Sequence, residues 1–83
     1  MLDIYYFASF REVLGQSQEQ LPMTSFRTVD CVLSTLAERG EPWQQALSAN
    51  PNLQIAVNQT IADRATQIKA GDEIAFFPPV TGG

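Results

Sequence analysis

The residues that could do chemistry in this 83-residue chain lie at its end, in Thr81, Gly82 and Gly83. Two glycines without side chains can lie flat in a channel too narrow for any Cβ atom, so the carboxylate of Gly83 could enter a second protein. The carboxylate itself is unreactive, but an acyl adenylate made from it is an electrophile that a sulfur nucleophile can open. From Phe77 to Gly83 the extended chain spans roughly 20 Å, at about 3.3 Å per residue. We therefore predict a C-terminal tail that reacts inside a partner's active site.

The rest of the chain offers little catalytic machinery. It has no histidine, which removes the usual general base and every histidine-ligated metal site. Its single cysteine, Cys31, excludes an internal disulfide and a Cys-x-x-Cys motif and indicates a reducing compartment, so we expect a cytoplasmic protein. Because the sequence also lacks a Gly-rich phosphate loop and a metal-binding cluster, a second protein must provide ATP, the nucleophile and the catalyst.

Composition and charge predict one small folded domain over residues 1–83, with 78–83 as its extended tail. The apolar share is 45% and the charged share 17%, which is ordinary globular usage. Five Lys and Arg against nine Asp and Glu give a net charge of −4, and the cations form no basic stripe. Nucleic acid and anionic membranes are therefore poor partners. No targeting segment or apolar run long enough to span a membrane is visible.

Alternating residue types predict a first strand over residues 2–7 and a last strand over residues 73–77. Between them, the sequence predicts a short helix from Ser9 to Gly15 with a Ser-x-x-Glu capping box, and a polar strand within 16–22. A long helix with Thr28 as its N-cap should end at Gly40, and a helical turn should follow from Pro42. A hairpin should then turn at Asn58-Gln59. The helical wheel puts Cys31 on the outer side of the long helix, where an inert thiol is the expected interpretation.

This order of elements predicts an α+β domain of the β-grasp type, a mixed sheet with its helices packed on one face and a flexible Gly-Gly tail. In that arrangement the first and last strands lie side by side in the middle of the sheet. If the even-numbered residues of both strands face the helices, Tyr5, Phe7, Ala75 and Phe77 point out of the uncovered face. An exposed aromatic patch indicates a partner surface, and a merely crowded sheet face is the alternative.

Three segments of the sequence resemble one family. They are GDEIAFFPPVTGG at 71–83, AVNQTI at 56–61 and FASFRE at 7–12. Together they are similar to the small-subunit family of molybdopterin synthase, which consists of ubiquitin-like sulfur carriers. A terminal Gly-Gly alone would be weak support, but the long ending that contains it is specific.

The resemblance implies a reaction sequence and a set of partners. Gly83 would be adenylated by an E1-like enzyme that uses ATP and converted to a thiocarboxylate, with no cofactor bound stably and no metal. The tail would then enter the large subunit of a heterotetrameric synthase, where its sulfur goes to cyclic pyranopterin monophosphate to build the molybdopterin dithiolene. The resemblance also implies that Phe7, Ile61 and Phe77 form a hydrophobic surface for both partners, with Arg11 beside it.

Other functions remain open at this point. A related carrier could serve thiazole synthesis or transfer-RNA thiolation. A covalent protein modifier would use the same adenylated glycine but pass the acyl group to a lysine. A free-standing interaction module would tolerate residues added after Gly83, whereas a carrier would not.

Overall fold

A computed structural model describes residues 1–23 and 26–78, so the predicted tail residues Thr81, Gly82 and Gly83 lie outside the described residues. The strands are β1 (Leu2–Tyr6), β2 (Gln18–Leu21), β3 (Gln54–Val57), β4 (Thr60–Ala62) and β5 (Glu73–Phe77). The helices are α1 (Ser9–Leu14), α2 (Val29–Ala37) and α3 (Glu41–Trp43), and α3 continues into a turn of π-helix over Gln44–Ser48. Within the described ranges, no helix is both long and apolar enough to cross a membrane.

The strands form one mixed sheet in the order β2-β1-β5-β3-β4. The central strands β1 and β5 are parallel, with Tyr5 opposite Ala75. Their neighbours β2 and β3 are antiparallel to them, and β4 pairs with β3 through a hairpin. This order, with the helices on one face, is the β-grasp arrangement that the sequence predicts.

Strict alternation along the two central strands places one side of the sheet in the core. Buried side chains from β1 and β5 pack with the apolar stripe of α2, and this set comprises Leu2, Ile4, Tyr6, Ile74, Phe76, Val29, Val32, Leu33 and Leu36. Burying each large side chain contributes about 1.5–3 kcal/mol, so this face supplies most of the driving force for folding. The structure therefore confirms the prediction that the even-numbered residues of both strands face the helices.

The start of α1 differs from the prediction. Ser9 is the first helical residue, the N-cap is Ala8, and no described side chain caps this helix end. The predicted Ser-x-x-Glu capping box is therefore wrong, because Ser9 lies one residue too late in the chain to act as a cap. Backbone N–H groups of Phe10 and Arg11 donate instead to the carbonyl oxygens of Phe7 and Ala8. The predicted stop is confirmed, since Gly15 ends α1 at a left-handed φ of 76°.

The start of α2 is stabilised by a loop that the sequence did not single out. Thr28 is its N-cap residue as predicted, but the Thr28 hydroxyl lies 3.5 Å from the Cys31 sulfur and caps no backbone N–H in the described chain. The N–H groups of Val29 and Asp30 donate instead to carbonyl oxygens of Thr66 and Arg64. Tertiary contacts thus satisfy donors that a local cap would otherwise serve.

A polar network ties the edge strand β2 to the helices. Both carboxylate oxygens of Glu19 accept hydrogen bonds from Arg39 at 2.7 Å, and the Tyr6 hydroxyl donates to one of them, also at 2.7 Å. The Arg39 guanidinium lies 4.6 Å from the centre of the Trp43 ring, which itself packs edge-on against Tyr6. Burial raises the pKa of Glu19, but hydrogen bonds from Arg39 and Tyr6 outweigh it, so this pKa lies below its ordinary value. Burial and the Glu19 carboxylate raise the pKa of Tyr6 far above its usual range.

Candidate partner-binding surface

The outer face of the sheet carries the odd-numbered side chains of β1 and β5, as the alternation predicts. At the end where β5 stops, the rings of Phe7 and Phe77 stack in parallel, with centroids 4.7 Å apart and an interplanar angle of 10°. Phe7 is 40% exposed although it is fully apolar. No helix among the described residues covers this face, so the aromatic pair is accessible to another protein.

A concavity of about 390 Å³ lies on this face. Its floor contains Ala56 and Ala75, which pair directly across β3 and β5. Its lining also includes larger or polar side chains, namely Tyr5, Phe7, Phe77, Ile61, Gln59 and Glu73. Two alanines side by side leave a depression because a methyl group fills little of the space between aromatic neighbours.

Ile61 stands on the edge strand β4 and is 80% exposed, the largest exposed fraction among the large apolar side chains of the described chain. The hairpin that carries it turns at Asn58 and Gln59, whose φ angles of 51° and 67° are those of a type I′ turn. The side-chain amide of Asn58 accepts a hydrogen bond from the Glu73 N–H and donates one to the buried carboxylate of Asp72. These bonds fix the hairpin against β5 and hold Ile61 beside the concavity.

The residue that follows Phe7 in the chain has a strained backbone. Ala8 has φ 54° and ψ −131°, a conformation that residues with a side chain rarely adopt. This reversal lets the exposed Phe7 stack on Phe77 while Phe10, only three residues later, is buried in the core. The strain is thus located where the chain passes from the outer face to the interior.

The structure brings Phe7, Ile61 and Phe77 together around one concavity. Arg11 is exposed on α1 and is not among the residues that line the concavity, so its predicted role beside this surface stays a prediction. Cys31 is half-buried on α2, where hydrogen bonds with the Thr28 hydroxyl and with the backbone lower the pKa of its thiol. The predicted reactive residues Thr81, Gly82 and Gly83 lie outside the described residues, but β5 ends at Phe77, so the chain leaves the sheet at the aromatic end of this surface.

Sequence reasoning missed three lining residues, Ala56, Gln59 and Glu73. Glu73 points to the same side of β5 as Ala75 and Phe77, so the alternation along this strand could have revealed it. Ala56 required the register of β3 on β5, and Gln59 required the turn geometry, neither of which composition gives. Within residues 1–23 and 26–78, no group of three or more acidic or cysteine side chains is placed to hold a metal ion.

The sheet order and the exposed apolar face define a ubiquitin-like β-grasp protein, and solved structures share this fold. A putative molybdopterin converting factor subunit 1 from Pyrococcus furiosus has a TM-score of 0.79 at 25% identity, covering 95% of this chain and 97% of that one. A complex of subunits 1 and 2 of molybdopterin-converting factor from Helicobacter pylori matches with a TM-score of 0.69 at 22% identity, covering 99% and 97% of the two chains. At that identity, the second likeness shows the fold alone.

Sequence comparison identifies the family. The model of the ThiS family matches residues 4–83, and the chain belongs to this family. A molybdopterin synthase sulfur carrier subunit from Haemophilus influenzae is 45% identical over 83 residues, with 100% of each chain covered. A protein of the same name from Escherichia coli is 37% identical, again with 100% of each chain covered. A small archaeal modifier protein 3 from Haloferax volcanii is 31% identical over 90 residues, with 99% of this chain and 98% of that protein covered.

Proposed function

We propose that this protein is the sulfur carrier subunit of a molybdopterin synthase. The main support for this proposal is the similarity of the chain, over its whole length, to two sulfur carrier subunits of that enzyme. The family match also extends through residue 83, so it includes the glycines proposed to react. The exposed aromatic surface supports the proposal, because a carrier must be recognised by partners that supply the catalysis.

The reaction begins at the carboxylate of Gly83. An E1-like enzyme joins this carboxylate to the AMP moiety of ATP, which releases pyrophosphate and leaves an acyl adenylate. A sulfur nucleophile then attacks the acyl carbon, AMP leaves, and a thiocarboxylate results. Inside the large subunit, the sulfur is delivered to cyclic pyranopterin monophosphate, and water cleaves the bond between the acyl carbon and the sulfur, so the carrier returns to its carboxylate form. The catalytic groups for each step belong to the partners, and we expect the exchange to occur in the cytoplasm.

The folded body positions the tail for this chemistry. Phe7, Ile61 and Phe77 would dock on the E1-like enzyme and on the large subunit in turn, with Arg11 at the margin of the contact. Because the chain leaves the sheet beside Phe77, docking of this surface would direct Thr81, Gly82 and Gly83 into the partner's active site. Aromatic anchors of this type commonly carry much of the affinity of an interface.

Intact-mass measurement tests this proposal directly. The protein is incubated with the E1-like enzyme, ATP and a sulfur donor, and the expected product is heavier by the exchange of one oxygen for sulfur. A variant with one alanine added after Gly83 should fold normally yet remain unmodified, because its terminal residue carries a Cβ atom. Conversion of the extended variant at the normal rate would overturn the proposal.

A protein modifier is the second candidate, favoured by the similarity to the small archaeal modifier protein from Haloferax volcanii. In that case the same acyl adenylate would pass to a lysine amine and form an isopeptide bond. A denaturing gel of cells that express a tagged form distinguishes the two functions. Conjugates of high mass that disappear when Gly83 is deleted would indicate a modifier, whereas a carrier should give only the free protein.

A further inference from the structure

The concavity on the outer face is apolar at one end and acidic at the other. Along β5 the outward side chains are Glu73, Ala75 and Phe77 in turn, and all three line the concavity. Glu73 is half-buried, and its backbone N–H donates to the side chain of Asn58. In the chain outside 24–25 and 79–83, the one ion pair joins Arg39 to Glu19, so the carboxylate of Glu73 is in no ion pair.

A neighbouring carboxylate on the same face has a different environment. Asp3 stands directly opposite Glu73 across the parallel pair of β1 and β5. However, Asp3 accepts a hydrogen bond of 2.9 Å from Gln20 and lines a polar groove with Gln18 and Gln20, on the other side of Tyr5 from the concavity. Only Glu73 lines the apolar concavity, so the two carboxylates form a natural pair for comparison.

Docking of a partner on this face would take Glu73 out of water. An ionised carboxylate that loses its water without gaining a partner is strongly unfavourable, so a wholly apolar occupant would oppose its own binding. A cation at this end of the concavity offsets that loss. The net charge of −4 also attracts a basic surface electrostatically.

We propose that the concavity accepts a long cationic side chain of the partner, an arginine or a lysine. Its aliphatic stem would lie on Ala56 and Ala75, between Tyr5 and Ile61, and its charged head would pair with Glu73. Long basic side chains bury their stems on apolar surface while the head keeps polar contacts, and this concavity provides both environments. The inference rests on the proposed function and specifies what the partner must present.

The first experiment measures affinity for the large synthase subunit by calorimetric titration at several salt concentrations. Glu73→Gln keeps the size and polarity of the side chain but removes its charge, and it should weaken binding about tenfold and reduce the salt dependence. Asp3→Asn is the matched control, because it removes one charge from the same face outside the concavity, and its affinity should stay within about twofold of the wild type. Equal effects of the two substitutions would overturn the proposal.

The second experiment requires no protein partner. Nuclear magnetic resonance titration with n-butylguanidinium should shift the amide signals of Ala56, Glu73 and Ala75, whereas the neutral N-butylurea should not. The shifts should be lost in Glu73→Gln and retained in Asp3→Asn. Equal shifts with the urea, or unchanged shifts in Glu73→Gln, would overturn the proposal. If the guanidinium binds as expected but the large subunit does not, the pocket assignment stands and the proposed function fails.

Discussion

The two faces of the sheet are made by the same strands, yet their side chains are packed differently. Phe76 is fully buried against the helices, whereas its neighbour Phe77 lies half-buried on the opposite face and stacks on Phe7. On the inner face, large apolar side chains interdigitate with α2 and stabilise the fold. On the outer face, two alanines leave a depression that another molecule can fill. A one-residue step along β5 therefore separates a side chain buried in the core from one that a partner could contact.

The largest expected effect comes from breaking the inner face. Phe76→Ala should lower the free energy of unfolding by about 3–5 kcal/mol, because it removes a ring that is completely buried and leaves a cavity. Such a loss is comparable to the whole stability of many small domains. Urea denaturation followed by circular dichroism measures it. A stable Phe76→Ala variant that binds its partner poorly would reverse the assignment of the two faces.

The adjacent substitution sharpens the comparison. Phe77→Ala should weaken binding to the large subunit by about 2 kcal/mol, or some thirtyfold, because it removes one half of the stacked aromatic pair. Its free energy of unfolding should fall by much less than that of Phe76→Ala. Titration calorimetry measures the affinity of both variants for the large subunit, and urea denaturation measures their free energies of unfolding. If Phe77→Ala unfolds the protein, the outer face is part of the core.

Glu19 is an ionisable side chain on the inner side of the sheet, and it should make stability depend on pH. Its pKa is lowered in the folded protein, so its contribution is present above the ordinary glutamate pKa of about 4.3 and is lost as the pH falls through the lower folded value. The free energy of unfolding should therefore decrease on acidification below about pH 4.3. Glu19→Gln should cost about 1 kcal/mol at neutral pH and flatten this part of the curve.

The smallest effect is expected for a residue that belongs to neither face. Cys31→Ser should leave both stability and sulfur delivery near the wild-type values, because serine can keep the hydrogen bond with Thr28 and the sulfur is proposed to travel on Gly83. Reconstituted synthase activity with chemically prepared thiocarboxylate is the appropriate assay. Lost activity with normal stability would show that Cys31 relays sulfur.

The sequence was informative wherever a local pattern determines the structure. Alternation in β1 and β5 predicted which aromatic residues face outward, and Asn58-Gln59 predicted the hairpin turn. It was misleading where distant groups replace a local one, as at Ser9 and Thr28, whose side chains were expected to cap helices. The bonds of Glu19 to Arg39 and Tyr6 join β2 to β1 and to the turn after α2, and no spacing in the sequence reveals them.

The residues that line the concavity were also only partly predictable from the sequence. The resemblance predicted that Phe7, Ile61 and Phe77 belong to this surface. The alternation of inward and outward side chains supported the two phenylalanines independently. The alternation of β5 also determines the outward direction of Glu73 and Ala75, but the place of Ala56 beside Ala75 emerged only once the register of β3 on β5 was known. Register depends on the packing of the whole sheet, so it could not be obtained from one strand at a time.

The central position of the parallel pair also affects how the protein is made. Because β1 and β5 pair Asp3 with Glu73, the middle of the sheet cannot close until both of these strands have left the ribosome. Pairing of segments so distant in sequence is slow, since much chain entropy is lost before the contacts form. Glu73, Ala75 and Phe77 are synthesised after the other lining residues, so a nascent chain lacks part of the floor and lining of the concavity until β5 is added. Unfinished chains should therefore not compete with mature protein for the partners.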